Sequence, residues 1–197
     1  MEYQDEKLAE IKRKKCVIEH SNIKGNGMYI NNQFIKFHQI EILDSIVMYM
    51  PEEFIDMPET VISMKYPSTN RPKVIKTSLT TTTNFCFNLF PEQVTKENAG
   101  EYAMQLKEVI KKVNPSFRFL EEHEEVNEQG DVIEMFDFIS YGMDEQIYNM
   151  MCLIPLHNGT LQAIFNCLDR ESEDWKEAAW KAFLTVEERD SKKRDGR

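Results

Sequence analysis

Apolar and polar residues alternate from Phe34 onwards. Ile35 and Phe37 fall on one side, Phe34, Lys36 and His38 on the other, and Ile40, Ile42, Ile46, Met48 and Met50 extend the pattern. A period of two predicts strands that bury one face. Pro51-Glu52-Glu53-Phe54 predicts a turn or one-turn helix ending near Pro58, and Val61–Tyr66 predicts a strand closed by Pro67. Lys73–Ser78 and Asn84–Phe90 predict an antiparallel pair joined through Thr80-Thr81-Thr82-Thr83. In the second strand Phe85, Phe87 and Leu89 share a face, with Asn84, Cys86 and Asn88 opposite. One face is therefore expected to be buried and the other less so.

The period then changes. From Thr95 to Val113, Ala99, Tyr102, Ala103, Leu106, Val109, Ile110 and Val113 recur at steps of three and four, a helix stopped by Asn114-Pro115. Phe117–Glu121 returns to strand. Three strands follow, Val132–Ser140, Ile147–Pro155 and Thr160–Cys167, the last two joined by a His157-Asn158-Gly159 turn. Ser172 is placed to cap a closing helix with Trp175, Ala178, Ala179, Ala182, Phe183 and Val186 as its apolar stripe. Adjacent strands and few helices imply an α+β fold, an antiparallel β-sheet flanked by helices as an α/β/α sandwich. The expected organisation is an N-terminal extension, residues 1–33, with a charged helix over Met1–Lys15 and a turn. The α+β domain follows over 34–186, then a polar, disordered tail over 187–197.

Composition narrows the partners. The 197 residues carry 24 Lys and Arg against 34 Asp and Glu, a formal charge of −10. An acidic chain lacks the basic face that nucleic acid or an anionic membrane requires. Met1–Lys15 has no apolar core of a secretory leader, and no run approaches a membrane span. A cytoplasmic protein is expected. Cys16, Cys86, Cys152 and Cys167 form no C-x-x-C pair, and the last three lie in apolar runs, as buried reduced thiols do.

Site motifs are mostly missing. There is no nucleophile elbow, no phosphate-binding P-loop and no dinucleotide fingerprint. His20, His38, His123 and His157 are dispersed without metal-ligand spacing, so no metal and no cofactor are expected. Cys152 or Cys167 with His157 is a nucleophile pair that only the fold could assemble. Glu121-Glu122-His123-Glu124-Glu125 reads as a solvated strand edge, because adjacent carboxylates on a strand point to opposite faces. No catalytic residue is assigned. The Pro-bracketed block offers Lys65, Ser68, Thr69, Arg71 and Lys73 as partner-binding candidates, donors for an anion or an acidic protein surface. A rigid turn shaped by Pro67 and Pro72 is the competing reading.

Four segments together resemble a known family: Met48-Tyr49-Met50-Pro51-Glu52-Glu53-Phe54, Lys65-Tyr66-Pro67-Ser68, Arg71-Pro72 and Asn84-Phe85-Cys86-Phe87-Asn88. They are similar to the PsbP-like group, whose fold is shared by the extrinsic PsbP subunit of photosystem II, a Ran-binding nuclear transport factor and bacterial DcrB-type proteins. The resemblance covers roughly Ile40 to Leu184 and points to bacterial cytoplasmic members that carry the Lys-Tyr-Pro-Ser block. It implies a sheet between helices, no catalytic machinery, and action by binding another protein as adaptor, assembly factor or secretion-type chaperone. DcrB-type proteins are exported, and this chain departs from them in showing no leader. The extension before Phe34 has no counterpart in the group. The alternatives are an enzyme with a fold-assembled Cys/His site and a small-ligand carrier with a pocket between sheet and helix.

Overall fold

A computed structural model describes residues 21–189, apart from positions 26, 44 and 143. The expected helix over 1–15, Cys16, His20 and the tail from 190 lie outside the described residues. In chain order the elements are β1 (Ser21–Asn22), β2 (Gly27–Ile30), β3 (Gln33–Ile35), β4 (Phe37–Leu43), β5 (Ile46–Pro51) and β6 (Ile55–Asp56). Next come α1 (Glu59–Lys65), β7 (Val74–Thr77), β8 (Asn84–Phe90), α2 (Ala99–Val113), β9 (Arg118–Val126) and β10 (Val132–Tyr141). The chain continues through β11 (Gln146–Leu156), β12 (Gly159–Leu168), α3 (Ser172–Phe183) and β13 (Glu187–Glu188).

The main sheet has seven strands in the order β6-β7-β8-β12-β11-β10-β9, all pairs antiparallel. This is the α+β arrangement that the strand-next-to-strand order implies. The register follows the pleat. Phe85, Phe165 and Met150 lie side by side across β8, β12 and β11 and are fully buried. That face packs against α3 and a small β13-β5-β4 sheet, with Met48, Met50, Ala179, Ala182 and Phe183 completing the core. The opposite face, with Phe136, Phe138, Met151 and Leu153, takes Ala103, Tyr102, Leu106 and Ile110 of α2.

The tight β11–β12 turn demands glycine. Gly159 has φ +136°, and an added Cβ would meet the Phe90 carbonyl oxygen at 2.1 Å.

Four expectations need correction. Val61–Tyr66 is not a strand, because Glu59–Lys65 is helical. The amides of Val61 and Ile62 donate to the Pro58 carbonyl, and Val61, Ile62 and Tyr66 pack on Met57, Ile75 and Cys86. A short apolar run does not distinguish the two periods. That same helix buries the second face of β8, so Asn84 and Cys86 are as buried as Phe85 and Phe87. Ser172 makes no side-chain cap; it is the first helical residue and is itself buried. Finally, Glu187 and Glu188 are ordered, pairing with Val47 and Ile46 on the edge of the small sheet.

Candidate functional site

The marked block lies at the β6–β7 edge of the sheet. Tyr66 anchors it: the phenol oxygen lies 3.5 Å from Cys86 Sγ and 3.4 Å from Asn166 Nδ2. Burial drives the Tyr66 pKa well up, so the ring stays neutral. The following loop is tied locally, Asn70 N donating to Ser68 Oγ at 3.1 Å and Arg71 Nη2 to Glu59 Oε1 at 2.8 Å. Lys73 joins the sheet by its backbone, its amide donating to Phe87 O at 3.0 Å and to Asn88 Oδ1 at 3.1 Å. The five candidate residues, Lys65, Ser68, Thr69, Arg71 and Lys73, are all exposed.

Lys65 reaches across to the Thr-rich turn. Its ammonium donates to the Thr81 carbonyl, and burial lowers its pKa. The turn is held by Ser78 N to Thr83 O at 2.9 Å and by paired hydroxyls, Thr80 to Thr82, at 2.8 Å. Leu79 projects from it with 71% of its surface exposed, and Met64 beside Lys65 has 74%. The same turn forms one wall of a groove of about 600 Å³ whose apolar lining includes Ile35, Phe54, Leu79 and Trp175. The cations are visible in the sequence pattern, whereas Leu79 and the groove are not. The groove's walls come from β2 and β3, the end of β5, the turn between β7 and β8, the end of β12 and α3, segments joined only by the fold.

A second polar cluster runs from the core beside α3 out to the β9 edge of the sheet. Along β10, Ile133, Met135, Asp137 and Ile139 alternate toward the core, and Asp137 is fully buried. Its Oδ2 accepts from Tyr148 at 2.7 Å and lies 3.1 Å from Lys176 Nζ. Lys176 also donates to Glu121 Oε2 at 3.1 Å, and that oxygen is 3.4 Å from His123 Nε2. Burial works against the Lys176 charge, but the hydrogen bonds to Asp137 and Glu121 outweigh it and raise its pKa. The Lys176 hydrogen bond and charge lower that of Glu121. The acidic run is thus more than a solvated edge: Glu121 and His123 join the cluster, while Glu122 meets Lys107 of α2 at 2.5 Å on the other face. One signal was visible beforehand, an Asp at a core-facing step of an apolar strand.

The Cys/His pair is not assembled. Cys152 stands five residues from His157 along β11, about 16 Å at the usual strand rise. Cys167 pairs across the sheet with Tyr148, and His157 Nδ1 is 2.9 Å from Glu188 Oε2. Burial pushes the Cys86 thiol up to about 11 and raises those of Cys152 and Cys167 as well. Such thiols are poor nucleophiles.

No helix among the described residues is long and apolar enough to cross a membrane. No family model matches the sequence, and no curated protein matches it. Solved structures do. The solution structure of the cyanobacterial PsbP, CyanoP, from Synechocystis sp. PCC 6803 superposes with a TM-score of 0.57 at 8% identity, over 83% of this chain and 95% of that one. LpqN of Mycobacterium tuberculosis, described as involved in cell envelope biogenesis, gives 0.47 at 14% identity, over 80% and 93%. PA94 of Pseudomonas aeruginosa gives 0.46 at 12%, over 79% and 99%. At these identities the likeness is one of architecture, and the fold of this chain is the PsbP-like fold.

Proposed function

We propose that the chain is a non-catalytic, cytoplasmic protein-binding module that receives an acidic partner segment at the β6–β7 end of its sheet. One observation carries this reading. Exposed Leu79 lines a groove of about 600 Å³, Lys65 beside exposed Met64 reaches the turn that carries Leu79, and Arg71 and Lys73 are exposed on the loop that follows. Apolar anchors with a polar rim are what a partner surface needs. The exposed cations Lys65, Arg71 and Lys73 favour an acidic segment. The PsbP-like fold supports an accessory role, and the buried thiols with raised pKa values count against Cys chemistry.

A photo-crosslinking side chain at Leu79, compared with one at Val113 on α2, tests the reading in cells. A discrete adduct is expected from position 79 and not from 113. Arg71→Ala should reduce it, and added salt should act in the same direction by screening. Equal labelling from both positions, or none from 79, defeats the proposal. A second reading rests on the groove itself, whose volume falls in the range of about 300–1,000 Å³ typical of small-molecule sites. Native mass spectrometry separates the two: a co-purified small mass lost on Trp175→Ala would favour a carrier.

A further inference from the structure

We infer that Glu121, His123 and Asp137 form a divalent transition-metal site whose access is controlled by Lys176. A carboxylate oxygen from each acid and a ring nitrogen of His123 lie within 4.8 Å of one another. Two further facts distinguish this group from an ordinary acidic patch. Asp137 is fully buried, yet its Oδ1 has no hydrogen-bond partner. His123 Nε2 is also buried, and Glu121 Oε2, 3.4 Å away, makes no well-aligned hydrogen bond to it. A buried carboxylate with half its acceptors unmet is costly. These two atoms belong to residues on adjacent strands.

The donor set is chemically selective. One imidazole nitrogen and two carboxylate oxygens suit zinc and its neighbours, with an open position for water. The outer support that such sites use is present. Tyr148 donates to Asp137 Oδ2, and the edge of Trp180 holds the His123 ring, their centroids 4.6 Å apart. Tetrahedral bonds of about 2.1 Å place ligand atoms roughly 3.4 Å apart, so the group contracts on binding. Glu121, on the edge strand with an exposed side chain, can supply that movement.

Lys176 is the competitor. Its ammonium lies 3.1 Å from both carboxylates and neutralises one of the two negative charges. It is a monovalent cation on a flexible stem with partial access to solvent, so it can swing outward without disturbing the fold. A metal therefore binds by displacing it, and Lys176 sets the affinity.

The test is calorimetric titration of chelator-treated full-length chain with Zn²⁺, and with Co²⁺ followed by visible absorption. One site per chain is expected. Lys176→Met should tighten it by about tenfold through loss of the competing charge. His123→Asn and Glu121→Gln, both on an edge strand, should weaken it by about tenfold or more. Circular dichroism checks that each variant is folded. If Lys176→Met takes up no stoichiometric zinc, the inference is wrong. Unchanged affinity in His123→Asn would equally overturn it, because the metal would then be held elsewhere, as on the thiols.

Discussion

Arg71 belongs to the block that the sequence marks, yet its guanidinium turns back to Glu59 on the same surface. Both side chains are exposed, 37% and 68%, and an ion pair of that kind contributes little. Arg71→Ala should change the urea-derived stability by no more than about 0.5 kcal/mol while weakening capture at Leu79. A larger loss would move the residue from binding to architecture. Glu134 makes the opposite case. It faces Glu124 across β9 and β10, and burial followed by the Glu124 charge raises its pKa. A carboxyl with a raised folded pKa costs stability above that pKa, and the cost fades as pH falls and both states protonate. Glu134→Gln should therefore stabilise the protein by about 0.2–1 kcal/mol at neutral pH, the scale of a cross-strand pair. The gain should vanish below about pH 4, where free carboxyls protonate. Thermal melts across that range check the sign. Asp137 shows what a sequence withholds at this scale. Its position in β10 was readable as an anomaly, but its partners Tyr148 and Lys176 stand 11 and 39 residues downstream and are brought together only by the sheet and α3.

At the scale of elements, long periodic segments were legible and short ones were not. The three strands from Val132 to Cys167 were expected within a residue or two of β10, β11 and β12, because ten-residue strands repeat their period several times. The six residues Val61–Tyr66 fit either period, and Met57, Ile75 and Cys86 beneath them decide for helix. The apolar stripe on α3 from Trp175 to Phe183 predicts unequal costs along one helix, whereas Val186 lies past its end. Phe183 is fully buried, edge-on to Phe85 with centroids 5.6 Å apart. Trp175 touches Phe54 and Phe165 but also lines the groove. Phe183→Ala should thus cost about 3–5 kcal/mol and Trp175→Ala less. Chemical denaturation of the two variants tests the order. A reversed order would mean that α3 docks by its N-terminal half.

At the scale of the whole molecule the question is where the folding unit begins. The change to strand texture suggests a start at residue 34, with everything earlier an appendage. Residue 34 lies inside β3, and β3 pairs with β2. Ile23, Met28 and Ile30 retain only 3–5% of their surface and join the core that contains Phe85 and Phe183. β2 packs directly on α3. Burying a large aliphatic side chain contributes about 1.5–3 kcal/mol, so three of them amount to about 4–9 kcal/mol. A domain is usually stable by only about 5–15 kcal/mol. A chain starting at residue 34 should therefore melt far below a chain starting at residue 21, which keeps the hairpin, or fail to fold. Paired calorimetry of the two truncations decides the matter. If the chain from residue 34 retains the full melting temperature, the hairpin is an appendage after all. If it collapses, the unit that buries Asp137 and supports the groove begins before the first strand that the sequence pattern reveals.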